Sequence, residues 1–300
     1  MLDRFEYMRP THLEELFSIL ANYGSRNVCV LAGGTDLIPA LRAGKKHADC
    51  VVDLEGLGLQ YISNGNGSIR IGAGATFRML LRDGIIRSHL PILACAAGRI
   101  GAVQTQSLAT IGGNLCSALP SADSAAPLLV LDAQLRLVSA GGERLVKIQD
   151  FFTGPGTTLL ANGEILAEIV IPVSDGRRAA FMKVGRRKGM SLAVLNCAAS
   201  FRLNAGGLIQ DARIALGAAA PTPVRTARAE EFISGSQPSA SLFAQAGKIA
   251  ASELHPRSSI RASGEYRSLL SEILVRRSLQ KTFDQFQVYG KEERDGFDRD

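Results

Sequence analysis

No apolar run in this chain is long enough to span a membrane, and the amino terminus M-L-D-R-F-E-Y carries no basic segment followed by an apolar one. These absences exclude a membrane-spanning helix and predict a cytoplasmic protein. Cysteine is scarce: Cys29, Cys50, Cys95, Cys116 and Cys197 form no C-x-x-C pair, which argues against a zinc ribbon or iron–sulfur ligation and predicts buried free thiols. There is no G-x-x-x-x-G-K-[ST] phosphate loop, no G-x-S-x-G nucleophile elbow and no H-E-x-x-H zinc motif. His12, His47, His89 and His255 stand in unrelated settings and read as surface or packing residues. No catalytic residue and no metal ligand is therefore assigned. The net charge is +6, but the positive residues are dispersed and no aromatic–basic signature accompanies them, which argues against nucleic acid and suits an acidic partner subunit.

What is present is an ordinary globular composition, 46% hydrophobic and 21% charged, over 300 residues, which predicts two domains. Phe5 and Tyr7 read as a strand, and Leu13, Leu16, Phe17 and Leu20 as a helix opened by a Thr11/Glu14 capping box and stopped by Gly24. V-C-V-L-A reads as a buried strand, L-I-P-A-L-R as a helix and D-C-V-V-D-L as another strand. The first fifty-odd residues thus form a parallel β-α-β-α-β unit. The Asn-Gly repeats of S-N-G-N-G-S mark a hairpin. Helices are expected at Phe77–Asp83, Pro91–Ala97 and Asp123–Leu131, the last capped by Asp123, with strands A-Q-L-R-L-V-S and I-L-A-E-I-V-I-P-V after them. Beyond Ser174-Asp175-Gly176, three strands joined in part by the turn Asn204–Gly207 predict an antiparallel sheet, covered by helices at about Ala240–Glu253 and Tyr266–Phe283. The charged end K-E-E-R-D-G-F-D-R-D is expected to be disordered.

Two glycine pairs carry the chemistry. Gly33-Gly34-Thr35-Asp36 follows an apolar strand, and Gly112-Gly113-Asn114 lies in A-T-I-G-G-N-L-C-S-A-L-P-S-A-D. Neither brings a lysine, so backbone N–H groups bridging a diphosphate fit them better than a transferable γ-phosphate would. The run Ile71-Gly72-Ala73-Gly74-Ala75-Thr76-Phe77 starts like a dinucleotide fingerprint but has Phe77 where close packing is needed and no acidic residue about twenty positions on.

A-G-G-T-D-L, the second glycine run and the C-terminal R-A-S-G-E-Y-R-S-L-L-S-E-I-L-V-R-R-S-L together resemble the FAD-binding medium subunit of the molybdenum hydroxylases, the xanthine dehydrogenase and carbon monoxide dehydrogenase family. The resemblance covers nearly the whole chain except the tail. It implies an α+β fold: a two-subdomain FAD-binding region of the vanillyl-alcohol-oxidase/PCMH type over 1–175 (subdomains about 1–56 and 57–175), a C-terminal domain of antiparallel sheet plus helices over 176–285, and a tail over 286–300. By motif, Val30, Leu31, Ala32, Gly33, Gly34, Thr35, Asp36 and Leu37 would form the first pyrophosphate loop, and Thr110, Gly112, Gly113 and Asn114 the second. Asp123 would bind the nucleotide portion, and Leu166 and Lys183 would lie at the flavin. A cation there would favour the reduced cofactor, although Lys183 also reads as part of a basic loop with Arg186, Arg187 and Lys188 that borders the flavin or docks a partner. The sequence departs from the family pattern in Gln104 to Ala109, which lack two arginines of many relatives, and at Ile100, where eukaryotic xanthine dehydrogenases have an aromatic. No cysteine-bearing insertion for a [4Fe-4S] cluster is present.

The resemblance further implies an electron-transfer role: FAD in this chain takes electrons from a small [2Fe-2S] subunit carrying two clusters, in a complex with a large molybdenum-cofactor subunit, built as a dimer of heterotrimers. The acceptor would be external. A stand-alone FAD-dependent reductase or oxidase on the same fold is the alternative.

Overall fold

The computed structural model describes residues 4–24, 26–173, 175–187 and 189–297. The chain forms two compact units, one made of 1–90, 97–119 and 132–173, the other of 91–96, 120–131 and 174–300.

The first unit opens with β1 (Glu6–Met8), α1 (Leu13–Tyr23), β2 (Val28–Leu31), α2 (Leu37–Arg42) and β3 (Cys50–Asp53). The three strands are parallel in the order β1-β3-β2, as the β-α-β-α-β pattern predicts. Only β3, the central strand, is buried throughout. β2 was expected to be buried and is an edge strand instead, with Val30 42% exposed, because β3 takes the position between the other two. Helix α1 stops at Gly24, whose φ of 49° suits a residue without Cβ. Its N-cap position is His12, not Thr11, and the carboxylate that accepts the Thr11 N–H, at 2.8 Å, belongs to Glu15 rather than Glu14.

A turn of 3-10 helix (Leu54–Leu57) leads to β4 (Ile62–Gly65) and β5 (Ser68–Gly72), a hairpin in which Asn66 and Gly67 take φ of 52° and 71°. Then come α3 (Phe77–Arg82), α4 (Gly84–His89), α5 (Pro91–Ala97), α6 (Val103–Leu108), α7 (Ile111–Cys116), α8 (Ala125–Val130), β6 (Gln134–Ser139), β7 (Gly142–Lys147), α9 (Ile148–Phe151), β8 (Phe152–Gly154), β9 (Thr157–Thr158) and β10 (Ile165–Pro172). Strands β4, β5, β10, β6 and β7 form one antiparallel sheet in that spatial order. Glu168, 2% exposed on the central strand β10, accepts hydrogen bonds from Tyr61 at 2.5 Å, Arg70 at 3.2 Å and Arg136 at 3.1 Å, so one buried carboxylate is paired on both sides of its strand. Leu16, Cys50, Val52, Val138, Ile165 and Ala167 make a core cluster shared by the two sheets of this unit.

In the second unit β11 (Arg178–Gly185), β12 (Ala193–Leu203), β13 (Ile209–Gly217) and β14 (Val224–Arg225) form an antiparallel sheet, one short strand more than the three expected. α10 (Ala227–Ile233), α11 (Ala240–Glu253) and α12 (Gly264–Phe297) follow. Alternate residues of β12, Leu195, Cys197, Ala199 and Phe201, pack into one core with Phe243 of α11 and Leu274 of α12. The other face receives α8, where the Val130 carbonyl accepts from Ser200 Oγ at 3.1 Å. Asn204 Oδ1 accepts the N–H groups of Gly206 and Leu208, both at 2.9 Å, and closes the β12–β13 turn. α12 covers the helix expected at about Tyr266–Phe283 and is assigned as far as Phe297. Residues 298–300 of the expected tail lie outside the described residues.

Candidate cofactor site

Gly33 and Gly34 follow the end of β2. Gly34 has φ of 68°, a left-handed conformation open to glycine at little cost, and turns the chain into α2. Gly33 is needed for another reason: a Cβ there would stand 1.9 Å from the Leu108 carbonyl oxygen. The first loop therefore packs backbone to backbone against the end of α6. Among the described residues, none of the backbone N–H groups of Gly33, Gly34, Thr35, Asp36 and Leu37 meets a protein acceptor. Five successive donors without a protein acceptor can receive an anion.

The second glycine run is built differently. Gly112 and Gly113, expected to offer their N–H groups to a diphosphate, both lie in the first turn of α7. The Ile111 N–H donates to Ala75 O at 2.9 Å, Gly112 to Ala73 O at 2.9 Å, Gly113 to Thr110 Oγ1 at 3.0 Å and Asn114 to Thr110 O at 3.0 Å. Thr110 is thus a helix N-cap, and the donors of this run are occupied by the fold. The glycines serve packing: a Cβ on Gly112 would lie 2.6 Å from Ala73 Cβ, and one on Gly113 2.9 Å from Thr110 Oγ1. Ser117 Oγ donates to the carboxylate of Asp36, a candidate of the first loop, at 2.9 Å and joins the exits of the two loops. Leu166, of the remaining candidates in this unit, is buried in β10 opposite Leu137, just before a register shift. α7 packs on that strand.

Asp123 and Lys183 belong to the second unit and meet there. The Lys183 ammonium pairs with the Asp123 carboxylate, and Asn196 Nδ2 donates to Asp123 Oδ1 at 3.0 Å. Both members of the ion pair are only 7% exposed in their side chains. Burial raises the Asp123 carboxyl above its ordinary value, opposed by Lys183 and then by the Asn196 hydrogen bond. Asp123 does not cap α8; Ser124 stands at the N-cap position and makes no side-chain cap. Asn196 escaped the sequence reading, although a lone amide within the apolar run A-V-L-N-C-A-A was a visible anomaly. Of the basic run after Lys183, Lys188 lies outside the described residues. Desolvation pushes the thiol of Cys116, the last residue of α7, up to about 12, which disfavours the reactive thiolate. Among the described residues no group of three or more His, Cys, Asp or Glu side chains is placed to hold a metal ion, and no helix is long and apolar enough to cross a membrane.

A backbone loop with unpaired donors packs against the end of α6 beside a capped helix, and the comparisons with known proteins identify the family. The family model "FAD binding domain in molybdopterin dehydrogenase" matches residues 3–174 and the model "CO dehydrogenase flavoprotein C-terminal domain" residues 179–282. The chain belongs to the family of FAD-binding subunits of the molybdenum hydroxylases and is an oxidoreductase component. It is 35% identical to the xanthine dehydrogenase FAD-binding subunit of Escherichia coli O157:H7, over 94% of this chain and 97% of that protein. With the glyceraldehyde dehydrogenase medium chain of Sulfolobus acidocaldarius it shares 32% identity over 92% of this chain and 98% of that one. The carbon monoxide dehydrogenase of Hydrogenophaga pseudoflava contains a chain of the same fold, with TM-score 0.91 and 29% identity, covering 95% of this chain and 99% of that one.

Proposed function

We propose that this chain is the electron-relay subunit of a heteromeric molybdenum hydroxylase, taking electrons from a [2Fe-2S] subunit and passing them to an external acceptor. The substrate would be oxidised at a molybdenum cofactor held by a large subunit. The relatives support this reading, being named as FAD-binding subunits or medium chains of dehydrogenases. We further place the complex in the cytoplasm as a dimer of heterotrimers.

The observation that carries the binding half of the reading is the row of donors from Gly33 to Leu37, which suits the diphosphate of FAD. When bound, FAD supplies a carrier that can accept and release electrons. The donors of Gly33–Leu37 would hold the diphosphate, with Val30, Leu31 and Ala32 leading the chain into them, while Thr110, Gly112, Gly113 and Asn114 would fix the position of that loop, with the Thr110 hydroxyl proton left to donate. Asp123 and Lys183, expected at the nucleotide and flavin parts respectively, touch each other. Paired with Asp123, Lys183 would act on the flavin as half of a dipole, with a weaker pull on its potential than a free cation would exert. Leu166 would contribute from β10.

The purified full chain should show a flavin absorbance spectrum free of iron–sulfur bands and should co-purify with a cysteine-rich small subunit and a large molybdenum-containing one. A preparation that stays colourless after addition of FAD would refute the binding role. Turnover of a substrate by the chain alone would refute the relay.

A further inference from the structure

One polar row crosses the sheet of the second unit where the side chains around it are apolar or small. Lys183 on β11 lies opposite Asn196 on β12, and Asn196 lies opposite Gly217 on β13. Directly opposed residues of an antiparallel sheet point to the same face. On that face lies the segment Pro120–Asp123, whose Pro120 carbonyl accepts the Ala218 N–H at 2.6 Å. Asn196 is fully buried, donates through Nδ2 to Asp123 Oδ1 at 3.0 Å and to Ala122 O at 3.5 Å, and leaves its Oδ1 without a partner. A buried amide oxygen left unpaired costs free energy that an apolar side chain would avoid.

The reason such a residue stands here is the company it keeps. Turning the amide over would set Oδ1 against the Asp123 carboxylate, so the hydrogen bond fixes its orientation. Gly217 makes the space: a Cβ there would come within 2.4 Å of Asn196 Oδ1. Asp123 is thereby held between a cation from one strand and an amide from the next, each taking a different oxygen of the carboxylate.

We infer that Asn196, seated in the gap left by Gly217, is a positioning residue that sets the direction of the Asp123 carboxylate and so of the Asp123–Lys183 pair that meets FAD. This rests on the FAD reading proposed above. It assigns Asn196 no contact with the cofactor, only control of the group that makes it.

The test uses the full chain, stripped of flavin and titrated with FAD, together with the midpoint potential of the bound flavin. Asn196→Leu keeps the branching at Cγ and removes the donor; it should weaken FAD binding about tenfold, the scale of a hydrogen bond to a charged group. It should also lower the midpoint potential, because a less compensated carboxylate opposes added electrons. Gly217→Ala should do the same with Asn196, Asp123 and Lys183 all still present. In an Asp123→Asn background, Asn196→Leu should add little, since it acts through the residue already changed. Should Asn196→Leu fail to fold, Asn196→Ser, which lacks the reach, reads the same quantities. Variants that melt earlier yet keep wild-type affinity and potential would overturn the inference, as would full additivity in the double variant. A wild-type chain that takes up no FAD would instead bring down the reading beneath it.

Discussion

From Gly33 to Leu37 five backbone donors point at no protein acceptor, whereas from Ile111 to Asn114 every donor is taken up by Ala75, Ala73 or Thr110. The two stretches share a glycine pair, an apolar lead-in and polar exits, yet the donors of one stay unpaired and those of the other are taken up by the fold. What separates them is geometry. Gly34 adopts a left-handed φ and opens the chain, while Gly112 and Gly113 continue a helix and are small because Ala73 and Thr110 leave no room. A glycine pair therefore reports close approach, and only the hydrogen-bond inventory tells whether the approaching group is a ligand or another part of the same chain.

Amide exchange should show the widest contrast between the two. Without FAD the amides of Gly33–Leu37 should exchange fast and those of Ile111–Asn114 slowly; adding FAD should protect the first set and leave the second almost unchanged. Protection appearing in both sets would erase the distinction. Next in size is Gly33→Ala, whose Cβ would collide with backbone that cannot move aside, costing about 3 kcal/mol and most of the flavin content. Thermal melts and the flavin absorbance per chain measure the two losses together. Gly112→Ala should cost about 2 kcal/mol through its collision with Ala73, with FAD affinity reduced only through displacement of the loop it supports. Thr110→Ala, which removes the cap of α7, should cost about 1 kcal/mol in a denaturant titration and leave most of the FAD affinity in place. Were Thr110→Ala instead to abolish binding at unchanged stability, the second run would be a ligand surface after all. Ser117→Ala, which unties the exits of the two loops, should have the smallest effect, about 0.5 kcal/mol for an exposed hydrogen bond.

Local chemistry made much of the fold legible. Gly24 ends α1, Asn66-Gly67 turns the hairpin, and α5 and α11 lie where their patterns place them. Long-range competition hid the rest. V-C-V-L reads as buried because nothing in it says that β3 will take the central place, and I-G-G-N-L-C reads as a turn because two glycines oppose helix formation by about 1 kcal/mol each. Packing on Ala73 and β10 overrides that preference. At the candidate site the motif residues were visible one at a time, but not the pairing of Asp123 with Lys183, which depends on contacts 60 residues apart in sequence.

Glu168 has a bearing on how the first unit comes apart. Its carboxylate is the common partner of Arg70 on β5, Arg136 on β6 and Tyr61 just before β4, so no one of these contacts is lost without exposing the buried charge to which the others are bound. Parting β5 or β6 from β10 then carries the penalty of the centre. These three inner strands should open as a single cooperative unit, the amides on both flanks of β10 released together.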